Sequence, residues 1–163
     1  MSKLRIGILG ASRIAPTAVL KPAQKVPGVE IVAVAARDPQ RAERYARKHG
    51  IPTVHTSYEA LVADPTIDAI YNPLPNGLHG HWTIAALRQG KPVLCEKPFT
   101  ANAEEAEAVK AVADETGLVV MEAFHWRYHP LADLMVSLVQ GPTREWRSVR
   151  RSLFPYIHSP LRR

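Results

Sequence analysis

The stretch LRIGILGASRIA, residues 4–15, determines how the chain is interpreted. Its first six residues are mostly apolar, which is typical of a buried strand. Gly10 then permits a tight turn, and a helix is predicted over residues 14–26. Pro16 is tolerated in the first turn of that helix, whereas Pro22 is expected to bend or split it. The stretch therefore predicts a strand, a glycine turn and a helix in close succession.

Short apolar runs continue to alternate with longer helical stretches along the chain. Further strands are predicted at residues 30–36, 53–55, 69–71, 92–95 and 118–121. Further helices are predicted at residues 39–49, between Ser57 and Asp64, and at 77–89, 102–116 and 130–139. This alternation is typical of βαβ units. We therefore expect an α/β fold with a doubly wound parallel sheet of the Rossmann type.

Charge and composition exclude several classes of protein. The chain has 163 residues, enough for one ordinary domain, and a net charge of +6. Six of its 21 Lys and Arg residues and one of its 15 Asp and Glu residues lie in residues 141–163, which leaves 15 basic and 14 acidic residues elsewhere. A near-neutral body argues against a nucleic-acid partner. No run approaches the roughly 20 apolar residues of a membrane span, no secretory signal is visible, and Cys95 is the single cysteine. We expect a cytoplasmic location and no membrane partner.

The glycine turn occupies the place of the G-x-G-x-x-G fingerprint of dinucleotide-binding folds. Gly10 makes the turn, Ser12 replaces the second glycine with a side chain that is still small, and Ala15 allows close packing of helix on strand. Free backbone N–H groups at the start of the helix suit a phosphate. The candidate phosphate-binding residues are Gly10, Ala11, Ser12, Arg13 and Ile14.

The end of the second predicted strand indicates which cofactor is bound. NAD sites place an acid there to bind the ribose 2′-hydroxyl, whereas this chain has Arg37. A guanidinium can bind a 2′-phosphate through two charge-assisted hydrogen bonds, and Arg41 lies one helical turn further on. NADP is therefore predicted, with NAD as the alternative. In the other interpretation both arginines are ordinary surface residues and Asp38 only caps a helix.

Three polar segments follow successive predicted strands. They are NPLPNGLH at residues 72–79, EKP at 96–98 and EAFHWRYHP at 122–130. Ligands of parallel α/β sheets bind at the edge where the strands have their carboxyl ends. These segments are therefore expected to form the reactive part of the site.

The order of the Gly-Ala turn, P-N-x-x-H, E-K-P and E-A-F-x-W-R-x-H-P resembles the Gfo/Idh/MocA oxidoreductase family over about residues 4–140. The resemblance is closest to the branch with dihydrodiol dehydrogenase and glucose–fructose oxidoreductase. It implies hydride transfer between NADP, or NAD, and a small sugar-like, polyol or dihydrodiol substrate. It implies no metal site and leaves homo-oligomerisation open.

The resemblance also implies residue roles. Lys97 is the catalytic lysine that places and polarises the substrate oxygen, a task that suits an ammonium group. Glu96 contacts the nicotinamide ribose or orients that lysine. The other residues expected at the cofactor are Asn76 and His79 on the nicotinamide side, Leu74 and Pro75 packed nearby, and Trp126 and Arg127 closing the cleft.

The chain departs from the family after residue 140. Family members continue into a second α+β domain, which is essentially absent from this sequence. The expected organisation is a dinucleotide-binding domain at 1–140 and a basic tail at 141–163, a remnant of the second domain with one strand around 146–154. Truncation, a fragment and a frame-shifted terminus all remain open. The alternative functions are a non-catalytic NAD(P)-binding module or inactive truncated homologue, and a protein that binds acidic partners through its tail.

Overall fold

The computed structural model describes residues 3–140, and its centre is one six-stranded sheet in the order β3-β2-β1-β4-β5-β6. All five pairings between neighbouring strands are parallel. The strands are β1 Leu4–Leu9, β2 Val29–Ala35, β3 Thr53–His55, β4 Ala69–Asn72, β5 Val93–Cys95 and β6 Val120–Glu122. The chain winds outward from β1 in one direction and then from β4 in the other, so the expected doubly wound α/β fold is confirmed.

Helices connect the strands, and their ends follow the capping residues in the sequence. They are α2 Pro39–His49, α3 Tyr58–Ala63, α4 His79–Arg88, α5 Ala103–Thr116 and α6 Pro130–Gln140. Ser57 caps α3 by accepting a hydrogen bond from the Ala60 amide. Asp38 caps α2 in the same way, and Gly50 ends it in the left-handed region at φ 68°. The predicted bounds of α2 are confirmed.

The helix predicted over residues 14–26 is shorter and less regular than expected. It is α1, a π-helical turn at Pro16–Leu20 followed by one α-helical turn at Lys21–Ala23. The two prolines lack the backbone N–H of a regular helical ladder, and Pro22 therefore cannot donate to the carbonyl four residues earlier. The bounds 14–26 were therefore wrong, and the irregularity lies at the change from π-helical to α-helical geometry between Leu20 and Lys21, next to Pro22, where a bend or split was expected.

Apolar side chains cover both faces of the sheet. On one face α3, α4 and α5 pack over a cluster that includes Leu61, Ile70 and Trp82. On the other face a second cluster includes Ile8, Val34 and Tyr71. With both faces covered, only the ends of the strands are available to a ligand.

A polar network fixes the amino-terminal edge of the sheet. The Arg5 guanidinium binds Asp68 with two hydrogen bonds, at 2.7 Å from Nη2 and 3.0 Å from Nε. Lys91 is 6% exposed, and its ammonium donates to the carbonyl oxygens of Asp64 and Ile67, both at 2.7 Å. These contacts align β1 with the start of β4 and lie at the opposite end from the glycine turn.

The Arg5–Asp68 pair predicts a pH-dependent contribution to stability. The hydrogen bonds from Arg5 hold the pKa of Asp68 at about 2, whereas an unfolded aspartate titrates near about 3.9. The contribution is therefore complete above about pH 5 and is lost as the pH falls toward 2. In denaturant titrations, the destabilisation by Asp68→Asn is expected to shrink over that range. It is expected to shrink less in an Arg5→Gln background, and a pH-independent difference in the wild-type background contradicts the prediction.

The chain divides into two compact units, Met1–Ala123 and Phe124–Arg163. The first contains the sheet and α1 to α5. Within the described part of the second lie a 3₁₀ turn at His125–Tyr128 and α6. The predicted boundary at residue 140 stays a prediction, because the basic tail and its strand around residues 146–154 lie outside the described residues. Among residues 3–140, no helix has the length and apolar character needed to cross a bilayer.

Candidate functional site

The glycine turn begins where β1 ends, beside β4. Gly10 has φ 88°, and its amide donates to the carbonyl oxygen of Ala35 at 2.7 Å. A Cβ at this position would lie 3.0 Å from Cδ2 of Leu74. The positive φ and the crowding both favour glycine at position 10. The turn therefore sits at the point where the winding of the sheet reverses, the usual ligand position in such folds.

The backbone after Gly10 offers hydrogen-bond donors to a ligand. Ser12 accepts a hydrogen bond from the Ala15 amide at its Oγ, at 3.2 Å, just before α1 begins at Pro16. The amides of Arg13 and Ile14 donate to none of the described residues, and both residues are exposed. Free amides at a helix start fit an anionic oxygen. The structure thus places the predicted residues 10–14 in an arrangement that suits a phosphate.

Helix α2 braces this turn from the side. Arg41 donates from Nη2 to the carbonyl oxygen of Ala11 at 2.9 Å, and Tyr45 donates from its hydroxyl to the carbonyl oxygen of Ser12 at 3.0 Å. Burial raises the pKa of Tyr45 to about 12, so its hydroxyl remains a donor at neutral pH. Sequence reasoning missed Tyr45, although it lies one helical turn after Arg41 on α2.

Arg37 stands two residues after Ala35, whose carbonyl oxygen binds the turn. Its side chain is exposed and forms no hydrogen bond or ion pair with the residues that the structure describes. Asp38 is occupied, because its Oδ1 accepts from the amides of Gln40 and Arg41. A guanidinium, rather than a free carboxylate, is therefore presented at the carboxyl end of β2.

The loop after β4 is held by a buried amide. Asn72 is 0% exposed and donates to the carbonyl oxygen of His79 and to Oγ1 of Thr83, both at 3.2 Å. In this loop Leu74 is buried against Gly10, whereas Pro75 and Asn76 are exposed, and the expected packing of Leu74 and Pro75 near the cofactor stays a prediction. The exposed amide of Asn76 is available to a ligand.

His79 lies inside the protein. It is 1% exposed, with Nδ1 at 2.8 Å from the carbonyl oxygen of Pro98 and Nε2 at 2.6 Å from that of Leu74. Both partners are acceptors, so a neutral ring can satisfy only one of them at a time. The ring joins the loops after β4 and β5, and its expected place on the nicotinamide side stays a prediction.

The EKP segment follows β5 on the same edge of the sheet. Glu96 is 6% exposed and accepts a hydrogen bond from the hydroxyl of Tyr71 at 2.7 Å. Lys97 is exposed, and its ammonium contacts none of the described residues through a hydrogen bond or an ion pair. Gly10 and Lys97 follow strands two places apart in the sheet, which corresponds to about 10 Å between the strand axes. A ligand can thus reach from the turn to the lysine.

The third polar segment divides between the two units. Glu122 accepts from the Phe99 amide at 2.8 Å and so supports the turn after Lys97. Trp126 and Arg127 lie in the second unit, where Arg127 approaches Asp133 at 3.7 Å. Their expected place at the cofactor cleft stays a prediction. Within the described residues, no three His, Cys, Asp or Glu side chains are grouped so that they could hold a metal ion.

Comparison with known families gives a match over most of this chain. Residues 4–124 match the family model designated GFO_IDH_MocA and described as an oxidoreductase family with an NAD-binding Rossmann fold. The match covers the sheet, the glycine turn and the EKP segment.

Individual relatives agree with this assignment. The chain is 47% identical over 136 residues to a D-xylose 1-dehydrogenase (NADP(+)) of Haloferax volcanii, covering 83% of this chain and 42% of that protein. It is 43% identical to a trans-1,2-dihydrobenzene-1,2-diol dehydrogenase of Oryctolagus cuniculus, in a match that covers 82% of this chain and 41% of that protein. A 3-ketoreductase from Actinomadura kijaniata, in complex with TDP-benzene and NADP, superposes with a TM-score of 0.78 at 38% identity. The match covers 85% of this chain and 43% of that protein. This chain spans less than half the length of these proteins.

Proposed function

The chain belongs to the Gfo/Idh/MocA oxidoreductase family, and from that premise we propose that it is the NADP(H)-binding half of an oxidoreductase. We place this half at residues 1–140 and propose that residues 141–163 form a separate basic tail. The observation that carries the proposal is the exposed guanidinium of Arg37 at the carboxyl end of β2, beside a turn in which the amides of residues 13 and 14 donate to none of the described residues. Asp38, the neighbouring acid, is engaged as a helix cap.

The described residues fit a phosphorylated dinucleotide. The amides of residues 13 and 14 suit the pyrophosphate. Arg37, together with the guanidinium nitrogens of Arg41 that do not bind Ala11, suits a 2′-phosphate. The relatives support this assignment, since the xylose dehydrogenase is named for NADP(+) and the ketoreductase was solved with NADP.

The reactive end is proposed to lie over the EKP segment. When bound, the nicotinamide accepts or supplies a hydride. The exposed ammonium of Lys97 donates a hydrogen bond to the substrate oxygen and stabilises the negative charge that develops there. The buried Leu74 offers an apolar surface beside the turn, which keeps water from that side.

The relatives' names suggest the substrate class. We propose a small sugar-like, polyol or dihydrodiol substrate that is oxidised at a CH–OH carbon, or its carbonyl counterpart. A cytoplasmic location is proposed with it, in keeping with the single, buried thiol of Cys95. We also propose that the chain can form homo-oligomers, and analytical ultracentrifugation measures its oligomeric state.

Calorimetric titration of the full chain with NADPH and NADH tests the proposal. We expect NADPH to bind at least about tenfold more tightly, a difference of about 1.4 kcal/mol. Equal affinities overturn the choice of NADP, and no binding of either overturns the proposed function. Turnover of NADP⁺ with D-xylose and other polyols, lost in Lys97→Ala, supports an oxidoreductase. Tight NADPH binding without any turnover favours the non-catalytic module instead.

A further inference from the structure

We propose that Tyr71 is a positioning residue that holds the carboxylate of Glu96 in place for the ribose of the nicotinamide half of the cofactor. The proposal rests on the proposed function and adds to it a residue that lies inside the sheet. It is carried by a buried tyrosine–carboxylate contact at the ligand-binding edge. No feature of the sequence singled out Tyr71, which reads as an ordinary strand residue.

The contact between Tyr71 and Glu96 is short and buried. Tyr71 on β4 is 0% exposed and Glu96, directly after β5, is 6% exposed. The hydroxyl of Tyr71 lies 2.7 Å from Oε1 of Glu96, the distance of a charge-assisted O–H···O⁻ hydrogen bond. Burial, together with the neighbouring carboxylate, raises the pKa of Tyr71 well above its usual range, so the hydroxyl remains a donor.

The protein fills only part of the hydrogen-bonding capacity of the Glu96 carboxylate. A nearly buried carboxylate is costly unless it is paired or fully hydrogen-bonded. Its contacts in the described part of the chain are the Tyr71 hydroxyl and, at 3.3 Å, the amide of Lys97, with no ion pair. A carboxylate has about four acceptor sites. The remaining sites suit neutral hydroxyl donors, and a ribose provides two adjacent ones.

The location identifies which ribose is meant. The amide of Glu96 donates to the carbonyl oxygen of Asn72 at 3.0 Å, which fixes the backbone at the end of β5. The exposed Lys97 is the next residue, two strands from the glycine turn. The adenosine side of the site, at Arg37 and β2, lies on the other side of that turn. Glu96 therefore faces the nicotinamide half, and Tyr71 sets the direction of its carboxylate.

Tyr71→Phe tests the proposal, because it keeps the buried ring and removes one hydrogen bond. The ligands are NADPH and adenosine 2′,5′-bisphosphate, which lacks the nicotinamide half. We expect the affinity for NADPH to fall roughly fivefold to tenfold, as for the loss of one ordinary hydrogen bond, and the affinity for the bisphosphate to stay unchanged. Glu96→Gln is likewise expected to lower the affinity for NADPH and not that for the bisphosphate. The double variant is expected to lose less NADPH binding free energy than the sum of the two single losses.

Tyr45→Phe is the matched control, because it removes a tyrosine hydroxyl from the phosphate-binding turn instead. It is expected to lower the affinities for NADPH and for the bisphosphate by similar factors. Thermal unfolding establishes that each variant is folded at the temperature of the titrations. Equal losses for both ligands in Tyr71→Phe, or no loss for either, overturn the role of Tyr71 and leave the proposed function intact. A wild-type chain that binds neither ligand overturns the proposed function and this proposal with it.

Discussion

Replacing Arg37 with aspartate is expected to reverse the cofactor preference of the chain. The substitution removes an exposed guanidinium from the carboxyl end of β2 and places there a carboxylate that accepts from a ribose 2′-hydroxyl. The same carboxylate repels a 2′-phosphate. Loss of a charge-assisted contact and gain of a repulsion together correspond to about 3 kcal/mol. The affinity for NADPH should therefore fall about 100-fold, while that for NADH rises.

Arg88→Asp is the control for this experiment. Arg88 is an exposed arginine in the last turn of α4, which ends at the opposite edge of the sheet from the glycine turn. It carries the same change of net charge, so any general electrostatic effect on an anionic ligand appears in both variants. Calorimetric titration with both cofactors gives the comparison. Similar losses of NADPH affinity in the two variants contradict a specific role for Arg37.

The largest loss of stability is expected for His79→Leu. Leucine fills much of the space of the ring but cannot donate to the carbonyl oxygen of Leu74 or of Pro98, one of which a neutral ring satisfies. A buried acceptor left unsatisfied costs about 1–3 kcal/mol, so the free energy of unfolding should fall by up to about 3 kcal/mol. The midpoint of thermal unfolding should fall by up to about 10 °C. Urea titration and calorimetry measure the two quantities.

His81 provides the matched comparison on the same helix. Its side chain is exposed and contacts Trp82 edge to face, so His81→Leu is expected to change stability by less than about 0.5 kcal/mol. His79→Gln retains a donor amide and should lose less than His79→Leu. If His79→Leu unfolds at the same denaturant concentration as His81→Leu, the buried hydrogen bonding of the His79 ring does not contribute as argued.

Local patterns were enough to predict the frame of the fold. The strand of residues 4–9 is found as β1, and α2 begins and ends where Asp38 and Gly50 predict. These features depend on residues close together in sequence, through burial on a strand and capping of a helix. The helix predicted over residues 14–26 spans only residues 16–23, and although a disturbance at Pro22 was expected, apolar periodicity does not register the π-helical turn that precedes it.

The hydrogen bonds that hold the loops of the site in place could not be predicted from local patterns. Tyr45 and Ser12 are 33 residues apart, Tyr71 and Glu96 are 25 apart, and His79 and Pro98 are 19 apart. Such pairs depend on strand order and on the face to which each side chain points. His79 illustrates this dependence. A polar residue in a loop motif suggests a ligand contact, and only the three-dimensional arrangement shows that its ring is buried. The role of Lys97 and the positions of Trp126 and Arg127 at the cleft stay predictions.

The hydrogen bond from Arg41 to Ala11 has a consequence for redesign of this protein. In the proposed site Arg41 has two roles, since the side chain that we assign to the 2′-phosphate also donates a hydrogen bond to the backbone of the turn proposed for the pyrophosphate. Directed changes at position 41 therefore combine altered selectivity with a looser loop, and screens at that site should return variants weakened toward every dinucleotide. Arg37 has no such second duty among residues 3–140. Efforts to convert coenzyme usage should accordingly begin at residue 37 and retain the neighbour that braces the loop.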